Sequence, residues 1–311
     1  MLSRGRFGES PRRSLGSSHL GSLEAGIKVT SRDPNDQVEE ILRGSFDLHV
    51  HARPDPGDSL RMDALDTGRQ AHEAEMAGFV LKSHYYPTAP LAQVLGRVYP
   101  GLRVAGSVVL NREVGGLNLD AVQAAADLGA RVVWMPTLSA DFHLSKQGRG
   151  PGLRLTGEGG DLLPRIRPML ETVRSHDMLL ASGHVSPQES IALFRAAREM
   201  GIQRMVATHP AGVARIEELR EMVSLGAHVE YAFLACTPSR NRATPAQIVE
   251  AVRSLGVEHC VVTTDFGQWM NPPPAEGMRM AIAELLNAGL TADEVSILVK
   301  TNPLELVGFQ D

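Results

Sequence analysis

The sequence predicts one α/β domain of the (β/α)8 TIM-barrel class, and three observations support that prediction. Short β-branched runs alternate with amphipathic stretches from residue 46 onward, a pattern typical of parallel strands joined by helical crossovers. Eight strand–helix units can be recognised, the number that closes such a barrel. The chain has 311 residues, 43% of them hydrophobic, which allows one large core at a length where α/β barrels fold as single domains.

The predicted strands are short apolar runs, and the predicted helices have apolar residues at helical spacing. The strands cover residues 46–51, 79–84, 103–109, 131–135, 178–183, 204–208, 227–233 and 259–264. The helices cover residues 64–77, 89–98, 119–128, 162–175, 188–200, 213–225, 246–255 and 275–288. An open doubly wound sheet is the alternative fold, but the sequence after the first strand lacks the glycine-rich phosphate turn usual there.

The segments outside this pattern are an N-terminal tail and two long loops. Residues 1–40 are predicted to form a disordered or extended tail and residues 41–311 the barrel domain, because residues 1–18 are rich in Arg, Ser and Gly. A transit peptide or a misassigned start codon are the alternatives there, while Arg12-Arg13 lacks the apolar stretch of a twin-arginine signal. Loops 138–160 and 266–277 follow the fourth and eighth strands and are predicted to be lids or binding loops.

Composition and charge limit the classes of partner. The net charge is −5 with no basic block in the globular part, so nucleic acid is not an expected partner. No apolar run approaches ~18 residues, so no membrane span is predicted. The two cysteines, Cys236 and Cys260, are too few for a disulfide framework and favour a reduced, cytoplasmic setting. The expected partner is a small-molecule substrate, and homo-oligomerisation is left open.

The first predicted strand carries a His-x-His pair, His49 and His51. Side chains alternate along a strand, so both imidazoles are predicted to point to one face, which forms half of a metal site. Three further histidines and one aspartate are also placed at predicted strand ends: His84, His184, His209 and Asp265. In a barrel these ends form one ring, so the set is predicted to meet in one mouth. Taken singly, a histidine at a strand end is more often a structural hydrogen-bonding residue than a metal ligand.

Three other polar residues on the strands invite specific hypotheses. Lys82 shares strand parity with His84, and a lysine pointing into a barrel is costly unless it is paired or bound to a ligand. Three roles are open for Lys82. It pairs with Glu230, it contacts an anionic group of the substrate, or it is carboxylated and bridges two metals. Asp47 either orients a ligand imidazole or is a buried structural carboxylate.

These residues resemble the amidohydrolase superfamily. The resemblance rests on Asp47-Leu48-His49-Val50-His51, on His184, His209 and Asp265, and on the ending Thr301-Asn302-Pro303-Leu304-Glu305-Leu306-Val307-Gly308. It implies a metal-dependent hydrolase on a TIM barrel. It further implies His49, His51, His184 and Asp265 as metal ligands, with Asp265 and His209 as catalytic residues.

The fourth strand departs from the superfamily pattern. Binuclear members carry a carboxylated Lys or a Glu there, whereas this strand reads Val132-Val133-Trp134-Met135-Pro136-Thr137. We therefore prefer a site with one metal ion. The alternative is a site with two metal ions, in which Lys82 replaces the missing bridging residue. The predicted cofactor is one divalent metal per chain, zinc in the first instance, with iron or manganese as alternatives.

The predicted function is activation of water to attack an amide, ester, lactone or related bond, with Asp265 as proton shuttle. Lys82, His84 and Arg53 are predicted to bind a carboxylate or phosphate of the substrate. A metal-dependent decarboxylase or phosphoesterase on the same barrel is the first alternative. A metal-stabilised binding protein that has lost catalysis is the second.

Overall fold

The computed structural model describes residues 34–57, 59–210 and 212–309 of the chain. Helix α1 (Pro34–Leu42) is the first element, and it runs through residue 40, the boundary predicted between tail and barrel. It packs on helix α10 (Pro274–Asn287), where Arg279 Nε donates a 2.5 Å hydrogen bond to Glu39 Oε1. Residues 1–33 of the predicted tail lie outside the described residues.

The strands occur where the periodicity predicts them. The described residues contain β1 (Phe46–His51), β2 (Gly78–Lys82), β3 (Arg103–Ala105), β4 (Ser107–Val109), β5 (Val132–Trp134), β6 (Leu179–Ala181), β7 (Met205–Ala207), β8 (His228–Ala232) and β9 (Cys260–Thr263). Segments β3 and β4 are the two halves of the third predicted strand. They are separated by Gly106, where a Cβ would lie 2.2 Å from Ala89 Cα at the start of helix α3. The nine segments therefore make up eight barrel strands.

The sheet is parallel and closes on itself. Neighbouring strands pair in the orders β1-β2-β3 and β4-β5-β6-β7-β8-β9. The first and last strands meet where Asp265 N–H donates to His49 O at 2.9 Å and His51 N–H donates to Phe266 O at 2.8 Å. Val50 and Phe266 form a parallel bridge at the same point. The predicted (β/α)8 barrel is thus confirmed.

All eight predicted helices are present, with ends shifted by a few residues. They are α2 (Ala64–Glu73), α3 (Ala89–Val98), α4 (Leu119–Asp127), α6 (Ile166–Ser175), α7 (Pro187–Glu199), α8 (Ile216–Ser224), α9 (Pro245–Leu255) and α10. Besides α1, three short helices were not predicted: α5 (Asp141–Lys146), α11 (Ala292–Ser296) and α12 (Asn302–Val307), the last preceded by a π-helical turn, Ile297–Thr301. Helix α5 lies inside the predicted loop 138–160, and α10 begins inside the predicted loop 266–277. None of the helices in the described ranges is both long and apolar enough to cross a bilayer.

The C-terminal segment closes the amino-terminal end of the barrel. Leu306 and Val307 pack into the apolar cluster that fills the barrel interior. Asn302 fastens the segment, because its side-chain amide donates to the carbonyl oxygens of Val257 at 2.9 Å and Cys260 at 2.7 Å. The Asn-Pro ending noted in the sequence therefore has a structural role beside β9. At the opposite, carboxyl-terminal end of the strands, the described residues leave a cavity.

Candidate metal centre

Two histidines of β1 and one aspartate after β9 lie together at the carboxyl ends of the strands. Asp265 Oδ1 is 3.1 Å from His49 Nε2 and 3.3 Å from His51 Nε2. One potential ligand atom from each residue lies within 4.8 Å of the other two. His49 and His51 are buried, while the Asp265 side chain is 14% exposed and reaches the cavity. Two imidazoles and a carboxylate in this arrangement can hold a divalent cation.

A bulge in β1 separates Asp47 from the two histidines. In the pairing with β2, one extra residue of β1 lies between Asp47 and Val50. The regular alternation of side-chain direction along the strand is therefore interrupted between these two residues. Asp47 accepts hydrogen bonds from the backbone N–H of His49 and of Thr264, both at 3.1 Å, and from Thr264 Oγ1 at 2.5 Å. Burial raises the pKa of Asp47 to about 7 against these hydrogen bonds. Asp47 thus fixes the backbone of the two closing strands.

Glu230 on β8 orients the His49 ring. Glu230 Oε1 accepts from His49 Nδ1 at 2.7 Å and from Thr263 Oγ1 at 2.8 Å, and Oε2 accepts from the backbone N–H of His209 at 3.1 Å. The proton on Nδ1 leaves Nε2 as the nitrogen with the acceptor lone pair, and Lys82 Nζ lies 2.8 Å from it. Burial lowers the pKa of His49 well below its usual value, so the ring is neutral near pH 7. A neutral imidazole is the form that binds a metal.

Asp265 is held as an acceptor. Burial alone would raise its pKa, but the neighbouring His49 and the hydrogen bond with His51 lower it below the ordinary aspartate range. Its backbone adopts φ 55°, in the left-handed region, and Gln268 Nε2 donates to its carbonyl oxygen at 2.9 Å. A carboxylate that stays ionised is a ligand for a metal and an acceptor for a proton.

Lys82 is fully buried and lies against His49. Its Nζ is 2.8 Å from His49 Nε2 and 4.2 Å from the centre of the Trp134 ring. Lys82 and Glu230 contact opposite nitrogens of His49, and their direct pairing stays a prediction. Trp134 occupies the fourth barrel strand, where no metal-bridging residue was found in the sequence, and its ring is 4.9 Å from that of His49.

The remaining histidines extend the cluster around the mouth. The ring of His209 is 5.6 Å from that of His49 and 4.9 Å from that of His184. The ring of His84 is 4.9 Å from that of His51, and its Nδ1 is 2.8 Å from Thr137 Oγ1. Burial lowers the pKa of His84 and of His184 well below the usual value. His184 is therefore beside the His49–His51–Asp265 group but outside it.

The donor set fits a metal ion. Nδ1 of His51 and Nδ1 of His184 are buried with no hydrogen-bond partner among the described residues, and a buried unpartnered nitrogen is costly unless a ligand occupies it. Imidazole nitrogens together with one carboxylate suit zinc, iron or manganese alike. No residue of the group selects one of these metals over the others.

A cavity of about 400 Å³ opens over the cluster. Its walls include six of the residues predicted from sequence: His51, Lys82, His84, His184, His209 and Asp265. Arg53 is not among the residues that line it. Arg53 is exposed and lines a second cavity beside Asp55, because its backbone pairs with Met62 and Ala64 and leads the chain away from the mouth.

Sequence reasoning did not find several residues of the cavity wall. Helix α5 contributes His143, whose ring is 5.0 Å from that of His184. The Tyr231 hydroxyl also lines the cavity and is buried without a hydrogen-bond partner in the described part of the chain. Burial raises the pKa of this hydroxyl. The length of loop 138–160 was the one signal that pointed to α5.

The fold and this site define a (β/α)8 barrel with a candidate metal centre at the carboxyl ends of its strands. Residues 44–230 match the model of a family of unknown function, DUF6282, and the chain belongs to that family.

Solved structures with the same barrel fold include three hydrolases. An amidohydrolase from Pseudomonas aeruginosa is 12% identical, with a TM-score of 0.62 over 89% of this chain and 98% of that one. The probable dipeptidase PvdM from the same organism is 13% identical, with a TM-score of 0.63 over 88% and 98%. The organophosphorus hydrolase from Deinococcus radiodurans is 13% identical, with a TM-score of 0.56 over 85% and 92%. At these identities the likeness establishes the barrel fold alone and does not select a substrate.

Proposed function

We propose that the protein is a metal-dependent hydrolase of small molecules. The observation that carries the proposal is the convergence of His49, His51 and Asp265 on one point, with Glu230 holding the His49 ring in the ligating tautomer. A buried carboxylate behind a ligand histidine is the arrangement that strengthens metal binding. A purely structural role for the histidines would not need a cavity of about 400 Å³ over them.

The proposed ligands are His49, His51, His184 and Asp265, with one zinc ion per chain as the first expectation and iron or manganese as alternatives. A divalent metal bound there would polarise the substrate and lower the pKa of water to about 7. The free Nδ1 of His184 supports its membership of the set. A second metal, with Lys82 as its bridging ligand, is the alternative arrangement.

Asp265 is the proposed proton carrier. Its Oδ1 faces His49 and His51, whereas its Oδ2 is 4.0 Å from His209 Nε2. Oδ2 is therefore free to accept the proton of the attacking water and to return it to the leaving group. His209 lines the cavity beside that oxygen, where its ring can hold the water or the substrate oxygen.

Lys82 and His84 are the proposed contacts for a polar or anionic part of the substrate near the reacting bond. Both line the cavity, and Lys82 approaches His49 Nε2 closely. A buried ammonium group that lies 4.2 Å from the centre of the Trp134 ring would meet an anionic oxygen with little loss of hydration on binding. Arg53 has no part in this proposal, because it lines a separate cavity.

The structural relatives support hydrolysis, but they do not indicate which type of bond is hydrolysed. Their names point to amide and to phosphoester chemistry on the same barrel. Amide, ester and lactone substrates remain the first expectation, with phosphoesterase or decarboxylase activity as alternatives. A binding protein without catalysis is the alternative of another class, and the placement of Asp265 between two histidines and the cavity weighs against it. We also infer a reducing, cytoplasmic setting from the two free cysteines, Cys236 and Cys260.

The test combines metal content with turnover. Protein purified without chelator is analysed for zinc, iron and manganese and assayed with chromogenic esters, lactones, amides and phosphoesters. About one equivalent of metal with turnover of a carbonyl substrate supports the proposal. Two equivalents with phosphoester turnover would favour the bridged alternative. No metal after reconstitution and no turnover would overturn the proposal.

A further inference from the structure

Two loops place basic side chains in the cavity wall away from the metal centre. Lys146 ends helix α5 in the loop after β5, and Arg240 and Arg242 lie in the loop after β8. We propose that these three residues form an anion-binding subsite that takes a carboxylate or phosphate of the substrate distant from the bond that is broken. This inference rests on the proposed function and names the class of its substrate: a small molecule with a terminal anionic group.

The charge of the cavity wall is unbalanced. Among the described residues that line the cavity, Asp265 is the one acidic side chain, and it is committed to His49 and His51 at 3.1 and 3.3 Å. Lys82, Lys146, Arg240 and Arg242 all belong to the same wall. A concave surface with this excess of positive charge attracts anions, and its low-dielectric walls strengthen the attraction.

The guanidinium groups of the two arginines have no partner among the residues that the structure describes. Within the described ranges, neither Arg240 nor Arg242 has a side-chain hydrogen bond or an ion pair. Other arginines are paired, as Arg195 is with Glu221 at 2.8 Å and Arg204 is with Asp177 at 2.5 Å. Arg240 and Arg242 line the cavity, and a guanidinium fork matches the two oxygens of a carboxylate or phosphate.

The loop that carries the arginines is held by its own hydrogen bonds. The Arg242 N–H donates to Ala235 O and the Asn241 N–H donates to Thr237 O, both at 2.8 Å. Ser239 Oγ donates to Asn271 Oδ1 at 3.3 Å, which connects this loop to the one after β9. A loop fixed in this way loses little further freedom when a ligand binds, so more of the contact energy appears as affinity.

The opposite wall is also fixed. Lys146 Nζ lies 4.3 Å from the centre of the Phe142 ring, a cation–π contact that restrains the lysine at the cavity wall, which both residues line. Between the walls lies His143, whose pKa is lowered first by burial and then by the charges of Arg149, His209 and Arg242. The positive fields of the two loops thus meet in one space.

The size of the space sets the kind of ligand. A cavity of about 400 Å³ is within the range of small-molecule sites and too small for a folded macromolecule. The chain as a whole has a net charge of −5, so attraction of anions is a local property of this wall and not of the surface.

The experiment measures anion binding directly by calorimetry on the full-length, metal-loaded protein. The probes are glutarate, inorganic phosphate and uncharged glutaramide. The test variants are the double variant Arg240→Ala/Arg242→Ala and the single variant Lys146→Ala. The matched control is Arg97→Ala/Arg174→Ala, which removes the same charge from exposed positions on α3 and α6. Thermal melts of every variant check that the fold is retained.

We expect glutarate or phosphate, but not glutaramide, to bind the wild type, and the Arg240/Arg242 double variant to lose about tenfold or more in affinity. Lys146→Ala should lose less, the control should stay within about twofold, and added salt should weaken binding of the anion. The stronger of the two anions identifies the group that the subsite prefers. Absence of anion binding to the wild type, or equal affinity in the double variant and the control, would overturn the inference.

A further variant separates this inference from the proposed function. His49→Ala removes a proposed metal ligand and leaves both loops intact. If glutarate or phosphate binds His49→Ala and wild type alike and still requires Arg240 and Arg242, the subsite stands even where hydrolysis fails. If the chain hydrolyses anionic substrates with equal kcat/KM in the wild type and in the Arg240→Ala/Arg242→Ala variant, the proposed function stands and the subsite does not.

Discussion

The two ends of the barrel each carry a pair of histidines, but the pairs differ in what surrounds them. At the carboxyl end, the rings of His49 and His51 lie 5.2 Å apart. At the amino end, the rings of His228 and His259, which flank the starts of β8 and β9, lie 6.5 Å apart. Ring proximity alone therefore does not distinguish a candidate metal site from a structural pair.

The two histidine pairs differ in the carboxylates beside them and in whether a cavity gives a ligand access to them. Asp265 and Glu230 meet His49 at 3.1 and 2.7 Å in a buried setting. At the other end, His259 is 3.7 Å from Glu258, and both side chains are largely exposed, 43% and 66%. A cavity opens over the first pair, whereas the apolar C-terminal segment closes the barrel beneath the second. Histidines are poised for metal chemistry where buried carboxylates fix them and a ligand can reach them.

The largest expected effect comes from removing one histidine of each pair. His49→Ala should reduce bound metal to trace levels and hydrolysis to background, because His49 is one of the proposed metal ligands. His259→Ala, the matched variant at the amino end, should retain full metal content and turnover. Elemental analysis and initial rates measure both. Equal loss in the two variants would mean that the two ends do not differ in function.

The second-largest expected effect is on metal affinity and comes from changing a carboxylate beside each histidine pair. Glu230→Gln weakens the hydrogen bond that fixes the His49 ring, so metal affinity should fall about 10- to 100-fold. Glu258→Gln, beside His259, should leave metal affinity unchanged. Competition with a chelator of known affinity measures both. Unchanged affinity in Glu230→Gln would assign Glu230 to the packing of β8 alone.

The pH dependence of unfolding tests the histidine pair at the amino end of the barrel. Burial, followed by the charge of His259, lowers the pKa of His228 from 6.5 to about 4. Because the folded-state pKa is the lower one, this contribution to stability is fully present above pH 6.5 and is lost as the pH falls towards 4. His228→Asn should flatten the decline in free energy of unfolding in that window, by at most about 1.4 kcal/mol per pH unit.

The control for that experiment is His176→Asn, at an exposed position after α6. It should leave the pH dependence of unfolding unchanged. Denaturant unfolding at several pH values between 4 and 7.5 measures all three proteins. Identical slopes in His228→Asn and wild type would show that the amino-end pair does not contribute to acid sensitivity.

The smallest expected effect concerns the unpartnered hydroxyl in the cavity wall. Tyr231→Phe should change the free energy of unfolding little, or raise it slightly, because its hydroxyl has no partner in the described chain. Tyr99→Phe removes a hydroxyl that donates to Leu65 O at 2.9 Å and should cost about 1 kcal/mol. Thermal denaturation compares the two. A larger loss in Tyr231→Phe than in Tyr99→Phe would contradict the assignment.

The fold was accessible from sequence because its periodicity is strong. β1 occupies residues 46–51 and α3 residues 89–98, as the apolar spacing predicts. Helix α5 was missed because six residues between polar segments carry no usable period. The bulge in β1 was also missed, since a single extra residue leaves no mark in the pattern and only the pairing with β2 reveals it.

The site residues on strands could likewise be predicted from sequence, whereas those on loops could not. His49, His51 and Asp265 could be grouped from sequence because each lies at the end of a well-defined strand, and strand ends in a barrel share one face. Arg240 and Arg242 could not, because the path of a loop depends on its hydrogen bonds to other loops, such as Ser239 with Asn271. Arg53 was included for its nearness to His51 in sequence, although the chain turns away immediately after β1.

His209 and Asp265 adopt φ values of 25° and 55°, which non-glycine residues rarely tolerate. Each such conformation costs on the order of 1–3 kcal/mol, and glycine at either position would relieve the cost. Drift or selection for heat resistance would thus favour glycine at these two positions once the activity ceased to matter. A relative with glycine at both would be recognisable as a lineage that kept the barrel and abandoned the reaction.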